Sequence, residues 1–240
     1  MKSDKAIGKF GPGPLLAILA TAAVLIALYA VFFIAPVEAT MGIVQKIFYF
    51  HVGCAINMMV FFSLCGICGL IYLIMGGSRG RVASFVDALG VATAEVGVTL
   101  GAVVLVTGPI WARKAWGTWW TWEPRLTLAL LVFLLFLAYL ALRAFTGSER
   151  FGRSVAAGLA VVGLPALYFI HFAVQRWGGA HPQVVYKGGL TVPGMKLAFF
   201  LSVLAVMLVS ATLALIRTQQ ELQARLVDDM FLKLDAEEWK

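Results

Sequence analysis

"FHVGCAINMMVFFSLCGICGLIYLIM", Phe50 to Met75, runs without a single Asp, Glu, Lys or Arg. A helix of ~20 such residues crosses the ~30 Å hydrocarbon core of a bilayer. Apolar on every side, it belongs in a membrane or at the centre of a large core. Similar runs lie at about 14–34, 84–107, 126–145, 154–174 and 193–216. The 240-residue chain is 61% hydrophobic and 13% charged, with a mean hydropathy of +0.91, so it carries too little charge to solvate a globular surface. These features predict an all-α integral membrane protein: six transmembrane helices with short amphipathic interfacial helices, in a single membrane domain over residues 1–240.

Six spans place both termini on one side. The connections are short, so Lys and Arg decide which side. With the termini inside, the inner segments hold Lys2, Lys5, Lys9, Arg79, Arg81, Arg143, Arg150, Arg153, Arg217, Arg225, Lys233 and Lys240, twelve of the 19 basic residues. Lys46, Arg113, Lys114, Arg125, Arg176, Lys187 and Lys196 are left outside. The expected arrangement is multi-pass, with cytoplasmic termini. Topogenic residues account for much of the +7 net charge, and no nucleic acid is needed to explain it. The first span reads as an uncleaved anchor, because its apolar run exceeds a usual signal core and Pro36 would follow the nearest small-residue cleavage site. "VEATMGIVQKIF" after it has Val37, Met41, Val44 and Phe48 at helical spacing and predicts a short helix in the outer interface. The inner tail, 217–240, repeats Leu222, Leu226, Met230 and Leu234 and predicts an amphipathic helix on the inner surface or one awaiting a partner.

Between the third and fourth spans, over 108–125, lies an outer loop containing "WARKAWGTWWTWEPRL", Trp111 to Leu126, with five of the seven tryptophans. Indoles are common at membrane interfaces, which accounts for Trp111 and Trp177. A belt needs one or two per span, whereas Trp116, Trp119, Trp120 and Trp122 cluster within seven positions. That density predicts a platform for a large flat ligand. The topology also gathers His51, His171 and His181 on the outer side. A haem suits this set: imidazole holds its iron, indole faces meet the macrocycle, and Arg113, Lys114 or Arg125 can pair with its propionates.

"WGTWWTWEPRLT" resembles the tryptophan-rich signature of the haem-handling membrane proteins of cytochrome c assembly, in the form found in the cytochrome c maturation protein C (CcmC) family. Chain length, six spans, "TGPIWARKAWG" leading into the motif, a histidine after "IFYF" and another in the last outer connection also correspond. The resemblance implies a multi-pass protein of the bacterial inner (cytoplasmic) membrane that binds haem b as transient cargo at the periplasmic face. It would deliver that haem to a periplasmic haem chaperone (CcmE), beside ABC transporter subunits (CcmA, CcmB) and a small membrane subunit (CcmD), with membrane lipid around it and no ATPase of its own. By position it assigns His51 and His181 as axial iron ligands. Trp116, Trp119, Trp120, Trp122, Glu123, Arg125, Arg113 and Lys114 complete the haem-binding set, and His171 becomes an interfacial side chain. This chain has Glu123 where relatives place Asp, "GCAI" after His51, and "AHPQ" around His181.

Two other readings stay open. Haem could be conducted through the bundle, with Glu95 in mid-span and Asn57 as its expected partner. The tryptophan loop could instead dock a protein and bind no haem. "CGICG", Cys65 to Gly69, lacks the histidine of a haem-attachment site and reads as small packing residues. Cys54, one turn from His51, could approach the same site. Asp87 reads as an interface residue.

Overall fold

The computed structural model describes residues 13–77, 80–146, 149–179, 181 and 189–238. Lys2, Lys5, Lys9, Arg79, Pro182, Lys187 and Lys240, and the side chains of His171 and Lys233, lie outside the described residues.

Among the described residues, six helices are long and apolar enough to cross a membrane, and there is no strand. They are α1 (Gly13–Tyr29), α2 (Ile47–Ile74), α3 (Arg81–Trp116), α4 (Pro124–Thr146), α5 (Arg150–Trp177) and α6 (Pro193–Glu238). α2 lies centrally, packed on α3, α5 and α6, while α4 completes the wall beside α3 and α5, and α1 lies against α6. The chain is a multi-pass membrane protein.

Lipid-facing helices turn their small residues inward. On α1, Ala20 and Ala27 are buried while Leu15, Ile18 and Leu25 are exposed, the arrangement expected when the solvent is hydrocarbon. The "CGICG" glycines serve the same end. A Cβ on Gly69 would sit 2.8 Å from the Ala157 carbonyl oxygen, and one on Gly66 3.0 Å from that of Ala160, so only glycine lets α2 and α5 approach so closely. Cys65 and Cys68 are buried free thiols in this seam. Beside it, the Phe62 and Phe136 rings stack with centroids 3.9 Å apart.

Three segments differ from expectation. Residues 37–46 form no interfacial helix. α1 ends in a π turn, Ala30–Ile34, and Ala35 is extended, as a residue before proline prefers. A tight turn then closes with Glu38 facing Gly42 (φ 60°), and a 3₁₀ turn, Ile43–Lys46, leads straight into α2. The Glu38 carboxylate accepts from the Thr40 amide (2.9 Å) and the Met41 amide (2.5 Å), which outcompetes a helix start here. Lys46 is buried, and its Nζ donates to the carbonyls of Val31 (2.5 Å) and Ala35 (3.1 Å), satisfying acceptors at the end of the π turn. Second, α3 does not stop at residue 107 but continues through Trp111 to Trp116, so the irregular part of the tryptophan segment is only 117–123. Third, the tail is no separate helix, because α6 runs unbroken to Glu238. At ~1.5 Å per residue its 46 residues reach ~70 Å, more than twice the hydrocarbon thickness.

The end of the bundle remote from the tryptophans is tied by charge. Asp87 is not a solvated interface residue: it is buried and accepts from Arg143 (3.0 Å) and Arg225 (2.8 Å), with Arg153 at 3.8 Å. Glu95 pairs with Arg217 of α6 (2.5 and 3.0 Å), not with Asn57. The Asn57 amide instead donates to the carbonyls of Gly53 (2.8 Å) and Val203 (3.2 Å).

Candidate functional site

α3 ends where Gly117 takes a left-handed conformation (φ 76°), the usual way to stop a helix and turn the chain. Arg113 closes this cap by donating to the Gly117 carbonyl, and its guanidinium lies 6.0 Å from the Trp119 ring centre. Thr118 Oγ1 donates to the Trp120 carbonyl (3.2 Å), holding the short irregular stretch in a curl. α4 then starts at Pro124, whose missing N–H costs nothing in a first turn.

This geometry stacks the indoles edge to face. Trp111 meets Trp116 at 5.6 Å between ring centres, and Trp120 meets Trp122 at 5.8 Å. Trp116 also faces the His181 ring edge-on at 6.4 Å. Trp119 (59%) and Trp122 (75%) are the most exposed indoles of the segment, whereas Trp116 and Trp120 are half-buried.

Against them is a recess of about 60 Å³, lined by His51, His181, Trp116, Trp119 and Trp120 together with apolar residues of α3 and α4. Gly108 and Pro109 of α3 form part of its wall. His51 enters from the first turns of α2, and its Nδ1 lies 2.9 Å from Thr107 Oγ1. Arg125, at the start of α4, is next to Leu126, which lines the recess. Glu123 reaches across to the connection after α5, where a Cβ on Gly179 would lie 2.8 Å from its Oε2.

The structure therefore brings together His51, His181, Trp116, Trp119 and Trp120 directly, with Arg125, Glu123, Trp122 and Arg113 around them. Lys114 is exposed and lines no part of the recess. Cys54 does not join His51. It lines a separate hollow of about 560 Å³ among α1, α2, α3 and α6, with Ser202, Glu95 and Arg217 and no tryptophan or histidine. Sequence reading missed Thr107 and Gly108, although both stand in the quoted "TGPIWARKAWG". Nothing local announces a partner 56 positions from His51.

At about 60 Å³ the recess holds water-sized guests, not a macrocycle. A flat ligand would have to lie across the exposed indoles and reach the imidazoles by parting the walls.

Fold and site together define a class: a helical multi-pass membrane protein with one end built of clustered indoles over a histidine-lined recess. A sequence model of Heme exporter protein C matches residues 9–233, and the chain belongs to that family. It is 29% identical to Heme exporter protein C of Escherichia coli K12 over 183 residues, covering 76% of this chain and 72% of that one. It is 30% identical to the Paracoccus denitrificans protein of the same name over 201 residues, covering 80% and 79%. The Haemophilus influenzae protein, at 29% over 192 residues, covers 78% and 75%.

Proposed function

We propose that this protein holds haem b, as cargo, against its tryptophan segment at the periplasmic face of the inner membrane, and delivers it to a periplasmic haem chaperone for c-type cytochrome biogenesis. The observation that carries this reading is the convergence of His51 and His181, from α2 and from the connection after α5, on one recess walled by Trp116, Trp119 and Trp120. Family membership, and the relatives' name as haem exporters, supports the ligand class.

In this account the two imidazoles ligate the iron from elements far apart in sequence, so ligation bridges α2 to the last connection. Trp119 and Trp122 present open faces to the ring, and Trp116 and Trp120 back them. Arg125 and Arg113 supply positive charge for the propionates. Glu123 lies against Gly179 and so brings the tryptophan segment beside the connection that carries His181. Because the recess is too small for a macrocycle, its walls must part for binding, and the same opening exposes a ring edge to an acceptor. Any ATP use belongs to the ATP-driven pair of partner subunits that the resemblance implies, with the small membrane subunit beside them.

The hollow of about 560 Å³ beside the Glu95–Arg217 pair favours a second reading, in which haem traverses the bundle. The two readings separate in one experiment. Haem-loaded protein in vesicles is mixed with the soluble domain of the chaperone on the tryptophan side. Presentation predicts transfer to the chaperone without haem crossing the vesicle wall. Haem appearing in the opposite compartment with no partner present would establish conduction instead.

A further inference from the structure

Thr107 Oγ1 makes two contacts, one of 2.9 Å to His51 Nδ1 and one of 2.7 Å to the Val103 carbonyl oxygen one turn back on α3. A threonine hydroxyl has one proton and two lone pairs, and a carbonyl oxygen only accepts. At 2.7 Å the Val103 contact is a hydrogen bond only if the hydroxyl proton points at that carbonyl; two oxygens so close with no proton between them repel. With its proton placed there, Oγ1 has only lone pairs to offer His51, and Nδ1 must supply the proton for the 2.9 Å bond, which in the neutral ring leaves Nε2 without one. The opposite assignment satisfies one contact and turns the other repulsive.

We infer that Thr107 is the positioning residue that fixes His51 as its Nδ1–H tautomer, leaving the Nε2 lone pair bare for an iron centre; the consequence for ligation rests on the haem reading above.

Three features make the arrangement rigid. The hydroxyl is bonded to its own helix, so the α3 backbone decides where Oγ1 lies. The ring edge rests on Gly108, where an added Cβ would stand 3.2 Å from His51 Cε1. Flipping the ring about its Cβ–Cγ bond would turn carbon, not nitrogen, toward Thr107 and lose the bond. A nitrogen that binds iron cannot also carry a proton, so the fixed tautomer spares a proton transfer at the moment of binding.

The test begins without haem. Purified protein labelled with ¹⁵N-histidine is examined by NMR in detergent, with the His51 resonances assigned by their loss in His51→Ala. The expected result is a protonated Nδ1 and an unprotonated Nε2 in the unliganded protein; a proton on Nε2 would overturn the inference. Thr107→Val, which keeps the shape and removes the acceptor, is then expected to mix the two tautomers and weaken haem retention by roughly 10–100-fold, the usual cost of losing such a partner. Thr107→Ser restores both. A Thr107→Val protein that is monodisperse, retains the Nδ1–H signature and holds haem within about twofold of the natural chain would also overturn it. If the expected tautomer is seen but no haem binds the natural protein, the haem reading fails and the role of Thr107 stands.

Discussion

Replacing Asp87 by asparagine keeps the side-chain shape and removes the charge on which three guanidinia converge. Arg225 keeps the Glu221 carboxylate (3.0 and 3.2 Å) and the Ser84 carbonyl (3.2 Å). Arg153, 3.8 Å away and 18% exposed, loses little. The loss falls on Arg143, whose side chain is 8% exposed and whose Nη1 already has no hydrogen-bond partner. Removing one member of a buried pair costs ~3–5 kcal/mol because the other charge stays buried. The surviving Arg225 contacts place Asp87→Asn near ~3 kcal/mol. Reversible unfolding in mixed micelles of rising sodium dodecyl sulfate content measures it. Asp87→Leu combined with Arg143→Met, which removes both charges and leaves apolar volume, is expected to recover most of the loss. A change below ~1 kcal/mol for Asp87→Asn would refute the claim that buried charge ties this end of the bundle.

Gly69→Ala is expected to cost ~1–3 kcal/mol in the same assay, since its Cβ would meet backbone that cannot move alone; an unchanged protein would show that the α2–α5 seam is looser than described. Replacing Cys65 and Cys68 together by alanine is expected to lower stability by ~1–2 kcal/mol and leave haem binding intact; loss of binding in a folded protein would give the thiols a chemical role. At Glu38, bonds from the Met41 and Thr40 amides hold the carboxyl below the usual carboxylate range of about 4.3. The sign follows: the turn is fully supported above the ordinary value and loosens as pH falls through the lowered one. Hydrogen exchange at the Thr40 and Met41 amides should therefore show extra opening in acid, and Glu38→Gln should remove that pH dependence.

Hydropathy made the six spans legible because each one must bury its backbone polar groups in lipid, and only a long apolar helix does so. It could not give their ends. α3 runs on through Trp111 to Trp116 because a helix leaving the membrane keeps its hydrogen bonds whatever its side chains. The turn at 37–46 was illegible for a different reason: the helical spacing of Val37, Met41, Val44 and Phe48 is real, but Glu38 captures the amides of Thr40 and Met41, and Lys46 caps the end of the π turn. Long-range partners were hidden as well. Arg217 stands 122 positions from Glu95, so a lone acidic residue in mid-span could be noticed but not paired. The site was legible where composition was extreme, in the indoles, and in His51 and His181. Its supporting residues, Thr107 and Gly108, are common types whose meaning comes only from the helix opposite.

The measurement that bears most directly on the haem site is the absorption spectrum of the detergent-purified protein from haem-sufficient cells, oxidised and reduced, beside His51→Ala and His181→Ala. A six-coordinate haem spectrum in the natural protein, altered in each variant, is the predicted result. Protein that is folded and free of haem, or a haem spectrum indifferent to both substitutions, would contradict it.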